Sequence, residues 1–317
     1  MSSAAVHGHW MTANHRTGQV SPVDRGNHRV RHHGRVIADE LSPDDWPGRG
    51  EPLLARVRAA SLAADGHDPL DEQAALLLKN HGLAGSRLWV TEGGFALLHG
   101  DALDLAVTPD SRGRGEGTAL AAASAAGARS AWSHGNHPAA RALARHHGFA
   151  PTRELWVMRR DVTGSLPELT AEEAAAVRGY RPEDEAELLR VNAAAFASHP
   201  EQGALDAAGL AERMAEPWFE PAGLLVASDD DRMLGFHWTK QHAPELGEVY
   251  VVGIDPAAQG RGLGRTLTLA GLHHLAGRGV REVLLYVESD NTPARKVYER
   301  LGFTHAASDT HVQFTRA

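Results

Sequence analysis

The sequence contains no cysteine. Disulfides and thiolate metal sites are therefore excluded, and a cytoplasmic protein is the expectation. Lysine is almost missing, occurring only as Lys79, Lys240 and Lys296, while arginine carries nearly all the positive charge. There is no basic excess either: 32 basic residues stand against 40 acidic ones, for a net charge of -8. That balance argues against a nucleic-acid partner. No apolar run approaches the length that crosses a membrane, and no signal-type hydrophobic segment stands near the start. What remains is a globular composition of 317 residues, enough for two domains of ordinary size.

The most informative stretch runs from Glu248 to Thr266. Val249 to Ile254 is β-branched and aromatic and reads as a buried strand. Asp255-Pro256 ends it, because proline has no N–H for a ladder. Gly260, Gly262 and Gly264 follow, and then an apolar helical pattern at Leu263, Leu267 and Ala270. A strand, a glycine-rich turn and a helix start can hold phosphate, since the turn and the first helical turn both present unpaired N–H groups. The spacing is not that of a dinucleotide-binding fold, and no Gly-Lys-Ser/Thr follows. A glycine-rich turn without a ligand is the plainer reading of the loop taken alone.

The stretch has a second copy. Aligning Pro109 with Pro256 puts Arg112 on Gln259, Gly115 on Gly262 and Gly117 on Gly264. Downstream, Asn136-His137-Pro138 matches Asn291-Thr292-Pro293, and Gly148-Phe149 matches Gly302-Phe303. Three matches in one order describe a single fold used twice. Residues 1–27 are polar and His-rich and read as a disordered extension. A first unit then spans 28–162, a linker 163–170, and a second unit 171–317. Each unit reads β-α-α-β-β-β-α-β-α-β, an α/β (α+β) mixed sheet flanked by helices. In the first unit the expected elements include a strand at Arg29 to Ala38, helices at Glu51 to Ala64 and from Asp71, and a hairpin around Gly93. Leu155 to Arg159 closes it. The second unit begins with a strand at Ala175 to Tyr180 and is closed by Val312 to Phe314.

The pattern Gln-x-x-Gly-x-Gly after a proline-ended strand resembles the acetyl-CoA loop of the Gcn5-related N-acetyltransferases (GNAT). Val249-Tyr250-Val251-Val252-Gly253-Ile254-Asp255-Pro256, Leu284 to Asn291, Phe236-His237-Trp238-Thr239-Lys240 and His199-Pro200-Glu201-Gln202-Gly203 are similar to the mycothiol synthase family. That family fuses two GNAT units and acetylates the cysteinyl amine of 1-D-myo-inositol 2-(L-cysteinylamino)-2-deoxy-glucopyranoside. The likeness runs from about Val36 to the C-terminus and is weaker in the first unit.

The resemblance implies acetyl-CoA as co-substrate. It assigns acetyl-CoA binding to Val252, Gly253, Ile254, Gln259, Gly260, Arg261, Gly262, Leu263, Gly264 and Arg265, and to Asn291, Thr292, Pro293, Ala294, Arg295 and Lys296. In the first unit the corresponding residues are Leu105, Ala106, Val107, Gly113, Arg114, Gly115, Glu116, Gly117 and Thr118. Backbone N–H groups from Val252 to Ile254 are expected to meet the thioester carbonyl. Glu248 is the candidate general base and Tyr298 the candidate proton donor to the departing thiolate. Glu72, Glu201, Lys240, Glu248 and Tyr286 are the implied acceptor contacts. Glu72 reads equally well as a helix N-terminal carboxylate.

In the first unit Asp101 aligns with Glu248, and Leu143 or Ala144 with Tyr298. That unit is therefore expected to bind acetyl-CoA without turnover. No metal is expected: His7, His9 and His15 lack further ligands, and adjacent pairs such as His273-His274 point to different helix faces. A monomer is expected, since the duplication can replace a partner subunit. Two other readings stay open: an acetyltransferase of this fold for an aminoglycoside, polyamine or protein N-terminus, and a non-catalytic acetyl-CoA-binding module.

Overall fold

The computed structural model describes residues 36–197, 202–229 and 232–316. The first half runs β1 (Asp39–Leu41), α1 (Glu51–Asp65), α2 (Glu72–His81), β2 (Ser86–Val90), β3 (Gly94–His99), β4 (Ala102–Val107), α3 (Glu116–Ser124), β5 (Ser130–Ser133), α4 (Pro138–His146) and β6 (Phe149–Asp161). A short α5 (Ala171–Ala175) precedes the second half. That half runs β7 (Val177–Gly179), α6 (Glu185–Ala195), α7 (Ala207–Met214), β8 (Leu224–Asp229), β9 (Arg232–Ala243), β10 (Leu246–Ile254), α8 (Leu263–Gly277), β11 (Glu282–Glu288), α9 (Thr292–Arg300) and β12 (Thr304–Arg316). The element order of the repeat is as the sequence implies.

Local chemistry explains the helix starts. Asp71 caps α2 by accepting from Ala74 N, Asp206 caps α7 from Gly209 N, and Asn291 caps α9 from Ala294 N. Two expected strands are displaced. Val36 to Ala38 are not strand, and the first strand is Asp39–Leu41, where Leu41 goes under the edge of the sheet; residues 29–35 lie outside the described residues. Ala175 belongs to α5, because Thr170 and Glu173 form a reciprocal capping box that starts a helix there.

The strands form one sheet in the order β1-β2-β3-β4-β5-β12-β6-β11-β10-β9-β8-β7. The two halves exchange their last strands. β6 pairs with β11 from Glu282↔Asp161 to Glu288↔Leu155, and β12 pairs with β5 from Val312↔Ser133 to Thr315↔Ser130. Down the middle, β6 and β12 pair with each other. Neither expected closing strand therefore closes the sheet of its own half. The cores follow the exchange. Val312 and Phe314 pack with Ala96, Leu98, Leu103 and Leu120 of the first half, and Met158 packs with Leu272, Leu285 and Phe303 of the second. Apolar alternation states that a strand has a buried face, but it does not name the neighbour.

Candidate active site

The second half places its functional groups by two local irregularities. Tyr250 is an extra residue on β10, between the pairs Val249↔Thr239 and Val251↔Trp238. Such a bulge bends the strand and increases its twist. Pairing of β10 with β11 stops at Val249↔Leu285, although β10 continues to Ile254 and β11 to Glu288. The two strands thus part beyond that pair. By alternation, part of the β10 backbone from Tyr250 to Ile254 faces the gap instead of a ladder partner.

At the far end of β10, Asp255 accepts from Ala257 N and is held by Arg190 and Arg232. Those hydrogen bonds bring its carboxyl down to about 2. The chain then passes through Gly260 (φ 82°) to Gly262 (φ 78°), the N-cap of α8. Both angles lie in the left-handed region that glycine tolerates. A Cβ on Gly260, Gly262 or Gly264 would meet nothing within 4 Å, so the space over this backbone is open to a ligand. The first half repeats the form with Gly113 (φ 73°) and Gly115 (φ 87°), the N-cap of α3.

Glu248 is completely buried, on β10 opposite Lys240 of β9 and Leu284 of β11. Its Oε2 lies 2.6 Å from His242 Nε2, and its Oε1 has no hydrogen-bond partner. Burial pushes the carboxyl up, and the His242 hydrogen bond offsets part of that rise without cancelling it. Lys240, also buried, turns its Nζ to Glu72 of α2. The Nζ lies 4.5 Å from the Trp218 ring centroid and 5.0 Å from that of Tyr250. Tyr250 donates to the second Glu72 oxygen at 2.7 Å. A residue of the first half thus reaches into the second.

A cavity of about 900 Å³ opens beside these groups. Glu72, Lys240 and His242 form part of its wall, together with Trp46, Glu51, Arg58, Asp71, Lys79, Glu216 and Trp218. Carboxylates, cations and two indoles suit a polyhydroxylated ligand carrying an amine.

Tyr298 sits on α9, half-buried, with its ring 5.9 Å from Phe303. It packs on the cluster of Val249, Leu285, Val287 and Ala294. Burial pushes its hydroxyl up to about 12, so it carries its proton at neutral pH. Val249 and Glu248 are neighbours on a strand and face opposite ways. Glu248 and Tyr298 therefore lie on opposite faces of the sheet, and the gap between β10 and β11 is what connects those faces.

The model of the Acetyltransferase (GNAT) family matches residues 193–303. A mycothiol acetyltransferase from a Nocardioides species is 58% identical over 285 residues, spanning 83% of this chain and 96% of the relative. One from Nocardia farcinica is 54% identical, over 83% and 93% respectively. The chain belongs to the mycothiol acetyltransferase family. It is an acetyl-CoA-dependent N-acetyltransferase. A solved tandem GNAT protein from the clavulanic acid biosynthesis pathway shares the fold, with TM-score 0.62 at 19% identity over 88% of this chain and 98% of that one.

Set against the residues expected for this family, the structure brings Glu72, Lys240 and Glu248 to one face. Tyr286 joins them just past the last β10–β11 pair, packed with Leu155, Val157 and Leu284. Glu201 lies outside the described residues, as does the extension at 1–27. Gln259, Gly260, Arg261 and Gly262 are exposed around the glycine turn, and Leu263 and Gly264 open α8. Val252 packs on the same apolar cluster as Tyr298, and Gly253 makes room for Phe236.

Several expected acetyl-CoA contacts have other partners. Arg265 pairs with Glu173, Asn291 caps its own helix, and Arg295 donates to Ser289 O and lies over Trp156. In the first half Glu116 turns inward, accepting from Thr91 Oγ1 and Gly93 N.

Two positions change. Counted from the equivalent pairs Gly94↔Val107 and Gly235↔Ile254, and allowing for the bulge, Ala102 stands where Glu248 stands, not Asp101. The sequence alignment could not register a bulge residue. Conversely, His242 went unread. It is the extra residue on β9 between the partners of Leu246 and Gly247. The available signal was Lys240-Gln241-His242, since residues two apart on a strand share a face. Among the described residues no group of three or more His, Asp or Glu is arranged to hold a metal.

Proposed function

We propose that the chain acetylates the cysteinyl amine of 1-D-myo-inositol 2-(L-cysteinylamino)-2-deoxy-glucopyranoside, releasing CoA and mycothiol. The observation that carries this is a buried, half-satisfied Glu248 held directly behind His242 and beside Lys240, two residues that wall a cavity lined from both halves. The glycine turn and the start of α8 would hold the pyrophosphate, and the β10–β11 gap would admit the pantetheine arm. Behind the wall formed by Lys240 and His242, Glu248 Oε1 takes the proton of the acceptor amine as its nitrogen attacks the thioester carbon. Backbone N–H groups of Val252 to Ile254 face the developing oxyanion. From the other side of the gap, Tyr298 protonates the departing thiolate. Glu72 and Lys240 hold the acceptor, and Tyr286, on the same face of the sheet, is the further contact that the family implies.

In this reading catalysis belongs to the unit at 171–317, and the unit at 28–162 keeps the phosphate turn but lacks the base and the tyrosine hydroxyl. Ala102 and Leu143 or Ala144 occupy those positions. A cytoplasmic monomer fits an acidic, cysteine-free chain whose two halves already share one sheet. No helix among the described residues is long and apolar enough to cross a membrane.

The test is to incubate the purified protein with acetyl-CoA and the cysteinyl pseudodisaccharide and to separate CoA chromatographically. CoA should appear in step with an acetylated product whose acetyl group survives hydroxylamine, as an amide does and a thioester does not. CoA release no faster than in the acceptor-free control would defeat the reading for this substrate.

A further inference from the structure

Each cation around the cavity is already committed to a carboxylate: Lys240 to Glu72, Lys79 to Glu216 and Arg58 to Asp68. Glu248 faces Lys240 across the β9–β10 pair, yet the ammonium goes to Glu72. What Glu248 has instead is His242 at 2.6 Å, from a side chain 8% exposed that also walls the cavity. The bulge on β9 that makes His242 an extra residue is what places it there.

We infer that His242 is a positioning residue for acetyl transfer: its Nε2–H holds Glu248 Oε2, keeps the carboxylate ionised and leaves Oε1 turned to the amine. This rests on the reading of Glu248 as base. A completely buried carboxyl with no donor would hold its own proton at neutral pH and could accept none. A permanent cation in contact would err the other way and weaken the base. An imidazole N–H donor lies between those extremes. When the amine N–H bond breaks, its electron pair stays on nitrogen to form the C–N bond, and the proton goes to Oε1. His242 keeps its own proton throughout, and Glu248 returns the captured one to water in the cavity. The charged groups around His242 are Glu248 on β10, Lys240 on β9, Glu72 and Lys79 on α2, Asp71 at its N-cap, Glu51 and Arg58 on α1, and Glu216 after α7. With the three cations neutralised by carboxylates, the Glu248 hydrogen bond sets the tautomer of His242.

The test uses His242→Leu and His242→Gln, with kcat/KM for the acceptor measured across pH. In His242→Leu the acidic limb should move to higher pH by about one unit or more. The activity lost near neutrality, about tenfold, then returns as the pH rises. His242→Gln, whose amide can still donate, should bring the limb back toward its original place. A loss equal at every pH, with the limb unmoved, would overturn the inference and leave His242 as packing. Nitrogen-15 NMR of the imidazoles in the unmutated protein supplies a second reading, independent of turnover and of how the variants fold. The inference requires His242 protonated on Nε2, and a neutral ring with the proton only on Nδ1 would sink it. If the unmutated protein fails to acetylate the cysteinyl acceptor, the substrate reading fails, and the NMR result still decides the role of His242.

Discussion

Tyr298 and Glu248 stand on opposite faces of one sheet, and the proposed reaction sets its proton donor on one face and its base on the other. The Tyr298 hydroxyl, pushed up to about 12 by burial, is a donor across the working pH range, and its removal should touch chemistry more than binding. Tyr298→Phe is expected to lower kcat by about 10²-fold, within the range of a lost general acid, with little change in KM for acetyl-CoA. Steady-state kinetics of the variant check this, and an unchanged kcat would remove Tyr298 from the mechanism. The resemblance to the family, carried by the motifs around them, named both residues as candidates. It did not single out His242, whose role depends on a bulge and on where the neighbouring lysine turns. Nor did it show that Lys240 and Glu72, 168 positions apart, are direct partners.

Along the glycine turn and α8, two glycines of the helix do opposite work. A Cβ on Gly264 would meet no protein atom within 4 Å, whereas one on Gly271 would lie 2.0 Å from Cε1 of the buried His237. His237 cannot easily move, because its Nδ1 is bonded to Leu267 O at 2.8 Å. Gly271→Ala should therefore destabilise the fold by about 1–3 kcal/mol, as overpacking does. Gly264→Ala should leave stability unchanged or slightly raised, since alanine favours helix by about 1 kcal/mol. If the phosphates approach this backbone, the same change should weaken CoA binding several-fold. Thermal melts and calorimetric titration with CoA separate the two effects. The loop was legible from its spacing, and the reason for Gly271 was not, since it lies in another strand's side chain.

At the scale of the whole molecule, the exchange of β6 and β12 makes the halves interdependent. A fragment covering 1–170 would expose the edge of β5, and one covering 171–317 the edge of β11, each with part of its core missing. Expressed alone, either fragment should aggregate; expressed together, they should associate into a soluble complex. Sedimentation of the single and co-expressed fragments tests this.

A second expectation concerns acid. His67, His134 and His311 meet where β5 and β12 join: His134 Nδ1 lies 3.1 Å from His311 Nδ1, and His311 Nε2 lies 3.3 Å from His67 Nδ1. Burial holds all three below the usual histidine range. Their folded values lie under the unfolded value of 6.5, so the stability they permit is complete above that pH. It is lost as pH falls below it and the unfolded chain takes up protons first. Melting temperature should drop between pH 7.5 and 5, and less steeply in His311→Gln.

By itself the sequence determined the duplication, the order of elements and the glycine turn. Those features are encoded in nearest neighbours, in spacing along one strand or helix, and in repeats of such spacing. Only the tertiary structure decided which half each final strand completes, that Glu72 crosses to Lys240, and that His242 attends Glu248. Those are pairings between distant segments, and the alternation of a strand fixes its buried face without fixing the strand beside it.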